Sequence, residues 1–191
     1  MKTDRLVLPP TRASDADRAF DIQTDWEVTR MLRMASFPPD RQEIRRWFAD
    51  HQREWLAGEA YRFAVELEGR MVGLVDVDGI AGREGSLGYW LDRAAWGRGY
   101  AFEAVHAVTR FAFEDVGLSK LEAGHAHDNP ASGRVLTKLG SARSMPFSAF
   151  PAHEARTSCS VATCSPPCTL ERSIDRLPPF TDLCCNQLIG F

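Results

Sequence analysis

Apolar and polar positions change period several times along the chain, and each change marks an element. Arg5-Leu6-Val7-Leu8 reads as a short strand, stopped by Pro9-Pro10. Ser14-Asp15-Ala16-Asp17 reads as a helix start, a serine N-cap with an acidic residue three positions on, and the helix runs to about Thr24. Asp25 caps a second, short helix from Trp26 to Leu32. Pro38-Pro39 break the chain, and Asp40 caps a longer helix with Ile44, Trp47, Phe48, His51 and Trp55 on one face; Gly58 ends it. The period then shortens to two. Tyr61, Phe63, Val65 and Leu67 alternate as a strand, Glu68-Gly69 turns, and Met71 to Asp78 completes a hairpin. Gly79, Gly82 and Gly85 mark a loop before a third strand, Ser86 to Leu91.

The helical period returns after Trp96-Gly97-Arg98-Gly99-Tyr100-Ala101. Ala101, Ala104, Val105, Val108, Phe111 and Ala112 form an apolar stripe, and Glu103, His106, Arg110 and Glu114 form the opposite, polar face. Gly117 caps this helix, Leu121 to His127 is a strand, and Pro130 to Leu139 is a short helix closed by Gly140. Strand, helices, three strands, helix, strand, helix is the order of an α/β or α+β domain with a mixed sheet.

The pattern fades after Gly140, and composition changes with it. The last 51 residues hold 8 of the 49 charged residues, 6 of the 11 prolines and all five cysteines. We therefore expect a domain over residues 1–140 and a divergent Cys/Ser/Pro-rich tail over 141–191. A strand near 144–150 is expected in the tail and weak structure elsewhere. The abrupt change resembles an out-of-frame reading of a gene's 3′ end, a hypothesis refuted if no other frame of the coding DNA encodes further strands. Cys159, Cys164 and Cys168 lack a Cys-x-x-Cys pair, and an odd count makes a poor disulfide framework. His125 and His127 alternate on one strand face without a third ligand, so no metal is expected.

Charge narrows the partners. With 23 basic and 26 acidic residues the net charge is -3, which carries no footprint for nucleic acid or anionic lipid. No stretch approaches 18 apolar residues, and Met1 to Pro10 lacks the apolar run of a signal peptide. The expectation is a cytoplasmic protein that binds neither nucleic acid nor membrane.

The candidate chemistry lies where the third strand meets the glycine turn and the regular helix. First-turn N–H groups lack partners within their helix and stand at the positive end of its dipole, while glycines let a ligand approach the backbone. A phosphate or pyrophosphate suits such a turn. No Gly-Lys-Ser/Thr follows, so it is not a Walker loop, and the third glycine of a dinucleotide fingerprint is missing.

Four blocks in this order carry a family resemblance. Gly88-Tyr89-Trp90-Leu91, then Trp96 to Ala104, then Asn129-Pro130-Ala131-Ser132, then Val135 to Gly140 resemble a GNAT N-acetyltransferase, and most closely its ribosomal-protein N-terminal (Rim-type) branch. The resemblance covers about residues 3–140. It implies an α+β fold, a mixed and mostly antiparallel sheet flanked by helices, and transfer of an acetyl group from acetyl-CoA to a primary amine by direct attack. The acceptor would be a protein N-terminus or a small-molecule amine. The pantetheine arm would pair with backbone near Trp90, Leu91 and Asp92, and the pyrophosphate would sit on Gly97, Arg98, Gly99, Tyr100 and Ala101. Trp96 occupies a cofactor-side position, and Asn129 would bond to pantetheine or hold its loop.

The same resemblance frames the acid and the base. Relatives often place a glutamate two residues before the Gly88 position, where this chain has Ser86; Glu84, two residues earlier, is the candidate base acting through water. Many members place a tyrosine where Leu136 stands, and in the Rim-type branch a serine matching Ser132 serves as the acid. Ser86, Leu136 and the tail favour an alternative: a non-catalytic CoA-binding or partner-binding module of the same fold. An exposed sheet edge would suit a homodimer.

Overall fold

The computed structural model describes residues 1–126 and 128–140, and the backbone of Cys168–Glu171. His127, the strand expected at 144–150 and the cysteine side chains lie outside the described residues. Helices α1 (Ala16–Gln23), α2 (Trp26–Thr29) and α3 (Arg41–Ala57) precede strands β1 (Tyr61–Leu67), β2 (Arg70–Ala81) and β3 (Glu84–Leu91). Then come α4 (Tyr100–Glu114), β4 (Lys120–Ala123), α5 (Pro130–Lys138) and β5 (Cys168–Glu171). The sheet order is β1-β2-β3-β4-β5, antiparallel throughout except for the parallel pair β3–β4. The expected mixed, mostly antiparallel α+β sheet is the one observed.

Alternation along the strands divides the molecule into two cores. Phe63, Val65, Val75, Val77 and Leu87 face Ala104, Val105, Val108 and Ala112 of α4, joined by Leu136 of α5. Ala64 and Leu74 face the other way, against Ala16 and Ala19 of α1 and Ile44 and Phe48 of α3. Of the two helices at that second face, α3 is held by its ends and α1 by an ion pair to α3. Asp40 accepts from Gln42 N–H (2.7 Å) and Glu43 N–H (3.1 Å) at the start of α3, and Gly58 ends it in the left-handed region. Asp17 of α1 pairs with Arg45 of α3 at 2.9 Å.

Four local expectations are corrected. Residues 79–85 are not a long loop: β2 continues to Ala81 and β3 starts at Glu84, with a register slip after Asp78 absorbing the irregularity, so only Gly82 and Arg83 turn. Ser14 is not an N-cap, because a 3-10 turn over Ala13–Asp15 precedes α1 and the Asp15 carboxylate accepts from Arg12 N–H instead. The strand after Leu118 stops at Ala123 rather than His127. Glu103 and His106, placed on a polar face by their spacing, are both buried. For Glu103 the cause is the N-terminal segment, which lies across this flank of α4. Thr3 and Arg5 bond to Glu103, while Val7 exchanges hydrogen bonds with Glu66 at the free edge of β1. That segment makes only isolated bridges, since Pro9 and Pro10 supply no N–H.

Candidate functional site

The site is built where β3 and β4 part. They pair only over Glu84–Ser86 and Lys120–Glu122; beyond Ser86, β3 stays with β2 as far as Leu91, while β4 ends at Ala123. Asp92 N–H donates to Val72 O at 2.7 Å, so by alternation Trp90 and Asp92 turn their main-chain groups toward β2, and Leu87 and Leu91 turn theirs toward the parting. Leu91 O accepts from the Trp96 indole at 2.9 Å, which fixes Trp96 beside the opening although the residue is 42% exposed.

The glycine turn stands at one end of this opening. Asp92 accepts from Ala94 N–H (3.0 Å) and caps a 3-10 turn over Arg93–Ala95; Gly97 and Gly99 follow at φ +73° and +80°. Only glycine enters that region without strain. The first α-helical bond of α4 runs from Glu103 N–H to Gly99 O at 3.1 Å, so the N–H groups of Tyr100, Ala101 and Phe102 precede the ladder and point out of the helix. A Cβ at Gly97 would meet nothing within 4 Å. Three open donors, a helix dipole and an unobstructed backbone fit a pyrophosphate.

Arg5 braces this turn from outside. Its guanidinium bonds to Glu103 (Nε 2.7 Å, Nη2 2.7 Å) and to Arg98 O (Nη1 2.9 Å), and lies over the Tyr100 ring at 4.6 Å from its centroid. Burial would push the Glu103 carboxyl up, but the Thr3 hydroxyl, Arg5 N–H and Arg5 guanidinium outweigh it and hold the group below its ordinary value. The Arg98 side chain is exposed.

On the α5 side of the parting two hydroxyls meet. Asn129 caps α5 by accepting from Ser132 N–H (3.1 Å), and Pro130 occupies the first turn. This places Ser132 Oγ 2.5 Å from the Tyr89 hydroxyl, which also donates to Ser132 O at 3.2 Å. Leu136 is fully buried in the α4 core and offers nothing to the opening.

On the opposite face, toward α1 and α3, the sheet floors a cavity of about 560 Å³. Met31, Trp47, Leu74 and Trp90 supply apolar wall, and Glu43, Asp76, Asp78 and Glu122 supply carboxylates, with Arg33 and His125 among the lining groups. Glu84 does not line it: its carboxylate is exposed at the end of the sheet and paired with Lys120 at 3.0 Å, and Lys120 also bonds to Glu122 at 2.8 Å. So the structure brings Tyr89, the Leu91 main chain, Trp96, the Gly97–Ala101 turn, Asn129 and Ser132 around one opening, turns the Trp90 main chain to β2 and its side chain into the cavity on the opposite face, and leaves Glu84 outside both. The missed residues are Asp76, Asp78 and Tyr89's hydroxyl. The signal for the two aspartates was strand alternation, which sets Asp76, Asp78, Ser86 and Gly88 on one face once the register is known, with Tyr89 on the other.

Among the described residues no cluster of three His, Cys, Asp or Glu is arranged to hold a metal ion, and no helix is long and apolar enough to cross a membrane.

Comparison with known proteins agrees with this geometry. An acetyltransferase (GNAT) domain model matches residues 5–142. The uncharacterized N-acetyltransferase p20 of Bacillus licheniformis is 29% identical over 141 residues, covering 72% of this chain and 79% of that one. Among solved structures, Mycobacterium smegmatis RimJ in complex with CoA-disulfide aligns with a TM-score of 0.68 at 20% identity, covering 93% of this chain and 89% of that one. The Salmonella typhimurium acetyl transferase that modifies the N-terminal serine of ribosomal protein L7/L12 aligns with a TM-score of 0.62 at 18% identity, covering 71% and 80%.

Proposed function

This chain belongs to the GNAT acetyltransferase family, and from that premise we propose that residues 1–140 transfer acetyl from acetyl-CoA to a primary amine by direct attack. The observation that carries this is the turn at the start of α4: three outward N–H donors over bare glycine backbone, at the mouth of two parting strands. Those N–H groups, with Gly97, Arg98 and Gly99, would hold the pyrophosphate. The edge of β3 at Leu87 and Leu91 would pair with the pantetheine amides, beside Trp90, Trp96 and Asn129. Acetyl-CoA supplies the activated thioester. The Tyr89–Ser132 hydroxyl pair, 2.5 Å apart, would pass a proton from Ser132 Oγ to the departing sulfur, with Tyr89 restoring it.

The acceptor enters from the other face, through the cavity between the sheet and the segment 31–36. A protein N-terminal amine and a small-molecule amine both suit its size; the L7/L12-modifying neighbour favours the first.

The test is calorimetric titration of acetyl-CoA into the wild type and a Gly99→Trp variant, whose side chain would start 3.4 Å from Arg5 Nη2 and strain the left-handed turn at φ +80° that presents the α4 N–H groups. Micromolar binding in the wild type, lost in a folded variant, is expected. A folded wild type that does not bind acetyl-CoA would sink this reading.

A further inference from the structure

One ionisable group at the cavity is built differently from the rest. Asp76 is 7% exposed, yet it lines the acceptor cavity from β2, an interior strand paired on both sides. It stands directly across from Gly88 of β3. A Cβ at Gly88 would overlap Asp76 Oδ1, so any other residue there would displace the carboxylate. The glycine therefore lets Oδ1 lie against β3 two residues beyond its last pairing with β4. The other oxygen, Oδ2, faces Arg62 Nε at 3.3 Å. Arg62 is itself buried and shared, pairing also with Glu54 and with Asp78 at 3.7 Å. One guanidinium thus faces three carboxylates, each through one oxygen, and Asp76 is the most buried of the three.

We infer that Asp76 Oδ1 accepts the proton of the incoming amine during acetyl transfer, an inference that rests on the acetyltransferase reading above. Burial, then the charge of Asp78, push its carboxyl up to about 7; Arg62 opposes them without cancelling them, and Glu54 adds to the rise. Glu43 from α3, Arg33 from the α2–α3 segment, and Glu122 and His125 from the β4 side also line the cavity. A carboxylate with affinity for a proton near neutrality is matched to deprotonating an ammonium. Glu84 lacks this setting, being exposed and paired with Lys120, and Ser86 has no basic group.

The proton count closes. The acceptor ammonium gives one proton to Asp76 Oδ1, and the freed lone pair forms the C–N bond to the thioester carbonyl carbon. As the C–S bond breaks, its electrons go to sulfur. The nitrogen loses its second proton to solvent in the cavity, while one proton passes from Ser132 Oγ to sulfur and Ser132 regains one from solvent through Tyr89. Asp76 then releases its proton to solvent through the cavity, so one ammonium and one thioester give one amide, one thiol and one proton.

The test uses the full chain. In the ligand-free wild type, the aspartate carboxyl carbons are titrated by NMR, with Asp76 assigned through its own backbone so that no variant is needed. A midpoint near 7 is expected; a midpoint near 4 overturns the inference. In parallel, acetyl-CoA turnover is followed against pH with a serine-initiated tetrapeptide bearing a free α-amine, and with spermidine. Wild-type kcat/KM should rise about tenfold per pH unit up to about 7. Asp76→Asn should lower it about 100-fold or more and remove that limb, Asp76→Glu should restore the limb, and acetyl-CoA affinity should stay within about twofold in both. An Asp76→Asn enzyme that binds acetyl-CoA and keeps both its rate and its limb overturns Asp76 as the acceptor while leaving the acetyltransferase reading standing. A wild type that does not bind acetyl-CoA overturns that reading and this inference with it.

Discussion

Replacing Glu103 by Gln tests whether the phosphate-side turn is held ready by the N-terminal segment. The Glu103 side chain is 6% exposed and accepts from Thr3 Oγ1 (2.5 Å), Arg5 N (2.9 Å) and Arg5 Nε (2.7 Å), with Arg5 Nη2 at 2.7 Å. Glutamine keeps the shape but loses the charge, and turns an NH2 toward donors. Hydrogen bonds to a charged group contribute about 1.5–3 kcal/mol each. Arg5 is half exposed, so part of its share is screened. The total expected loss is about 2–4 kcal/mol, or about 4–16 °C in Tm for a chain of this size. Because Arg5 also holds Arg98 O and covers Tyr100, a loosened Arg5 frees the turn, and acetyl-CoA affinity should fall about tenfold, equivalent to about 1.4 kcal/mol. Calorimetry and thermal unfolding on the wild type, Glu103→Gln, Arg5→Met and the double variant form a cycle whose coupling should exceed about 1 kcal/mol. The sign in pH is fixed too. Glu103 has a lowered carboxyl pKa, so its contribution is present above the unfolded value and is lost as pH falls through the folded one. The gap between wild type and variant should close in acid. A variant that is destabilised but binds acetyl-CoA as tightly as the wild type would refute the preorganisation argument.

Two further outcomes follow from buried groups. Burial, with Arg62 nearby, lowers the His51 ring pKa to about 3, so the folded state holds it neutral against Thr11 Oγ1 at 2.8 Å. Protons then favour the unfolded chain as pH falls from about 6.5 to about 3, costing about 2–4 kcal/mol after discounting for solvent screening; His51→Gln should flatten this part of a urea-stability profile against pH, and an unchanged slope would place the acid sensitivity elsewhere. Gly88→Ala should cost about 1–3 kcal/mol by overpacking the strand pair, because its Cβ would overlap Asp76 Oδ1; chemical denaturation within about 0.3 kcal/mol of wild type would show that the carboxylate has room to move.

Where periodicity and caps act locally, the fold was readable from residues alone. The α4 stripe, the Glu68-Gly69 hairpin and the Asp40 cap all appear as expected, since each depends on neighbours within about one turn of chain. Errors arose where a distant segment intervened. Glu103 looked solvated because nothing near it in sequence covers it; Thr3 and Arg5, about a hundred positions away, do. The glycines at 79, 82 and 85 looked like one loop because a register slip inside a strand has no local signature distinct from a turn.

The site divides along the same line, and its two halves differ for a physical reason. Anion binding by backbone requires glycine and a helix start in sequence order, so Gly97, Gly99 and Tyr100 announce it by themselves. Proton transfer requires only that a few atoms converge, and the chain reaches that from anywhere. Asp76 and Gly88 are twelve positions apart, and in sequence the first is an ordinary polar residue of an alternating strand, the second an ordinary glycine. The antiparallel register makes them a pair. The pairing also explains why this carboxylate differs from its neighbour: Asp78 sits opposite Ser86 and is nearly half exposed, while Asp76 sits opposite a residue without a side chain and is covered. Burial raises the affinity of a carboxylate for a proton, and the bare glycine lets it stay buried in contact with the strand edge. A substitution at Gly88 should therefore move the acid limb of the rate as well as the stability, whereas one at Ser86, across from the exposed Asp78, should leave that limb in place.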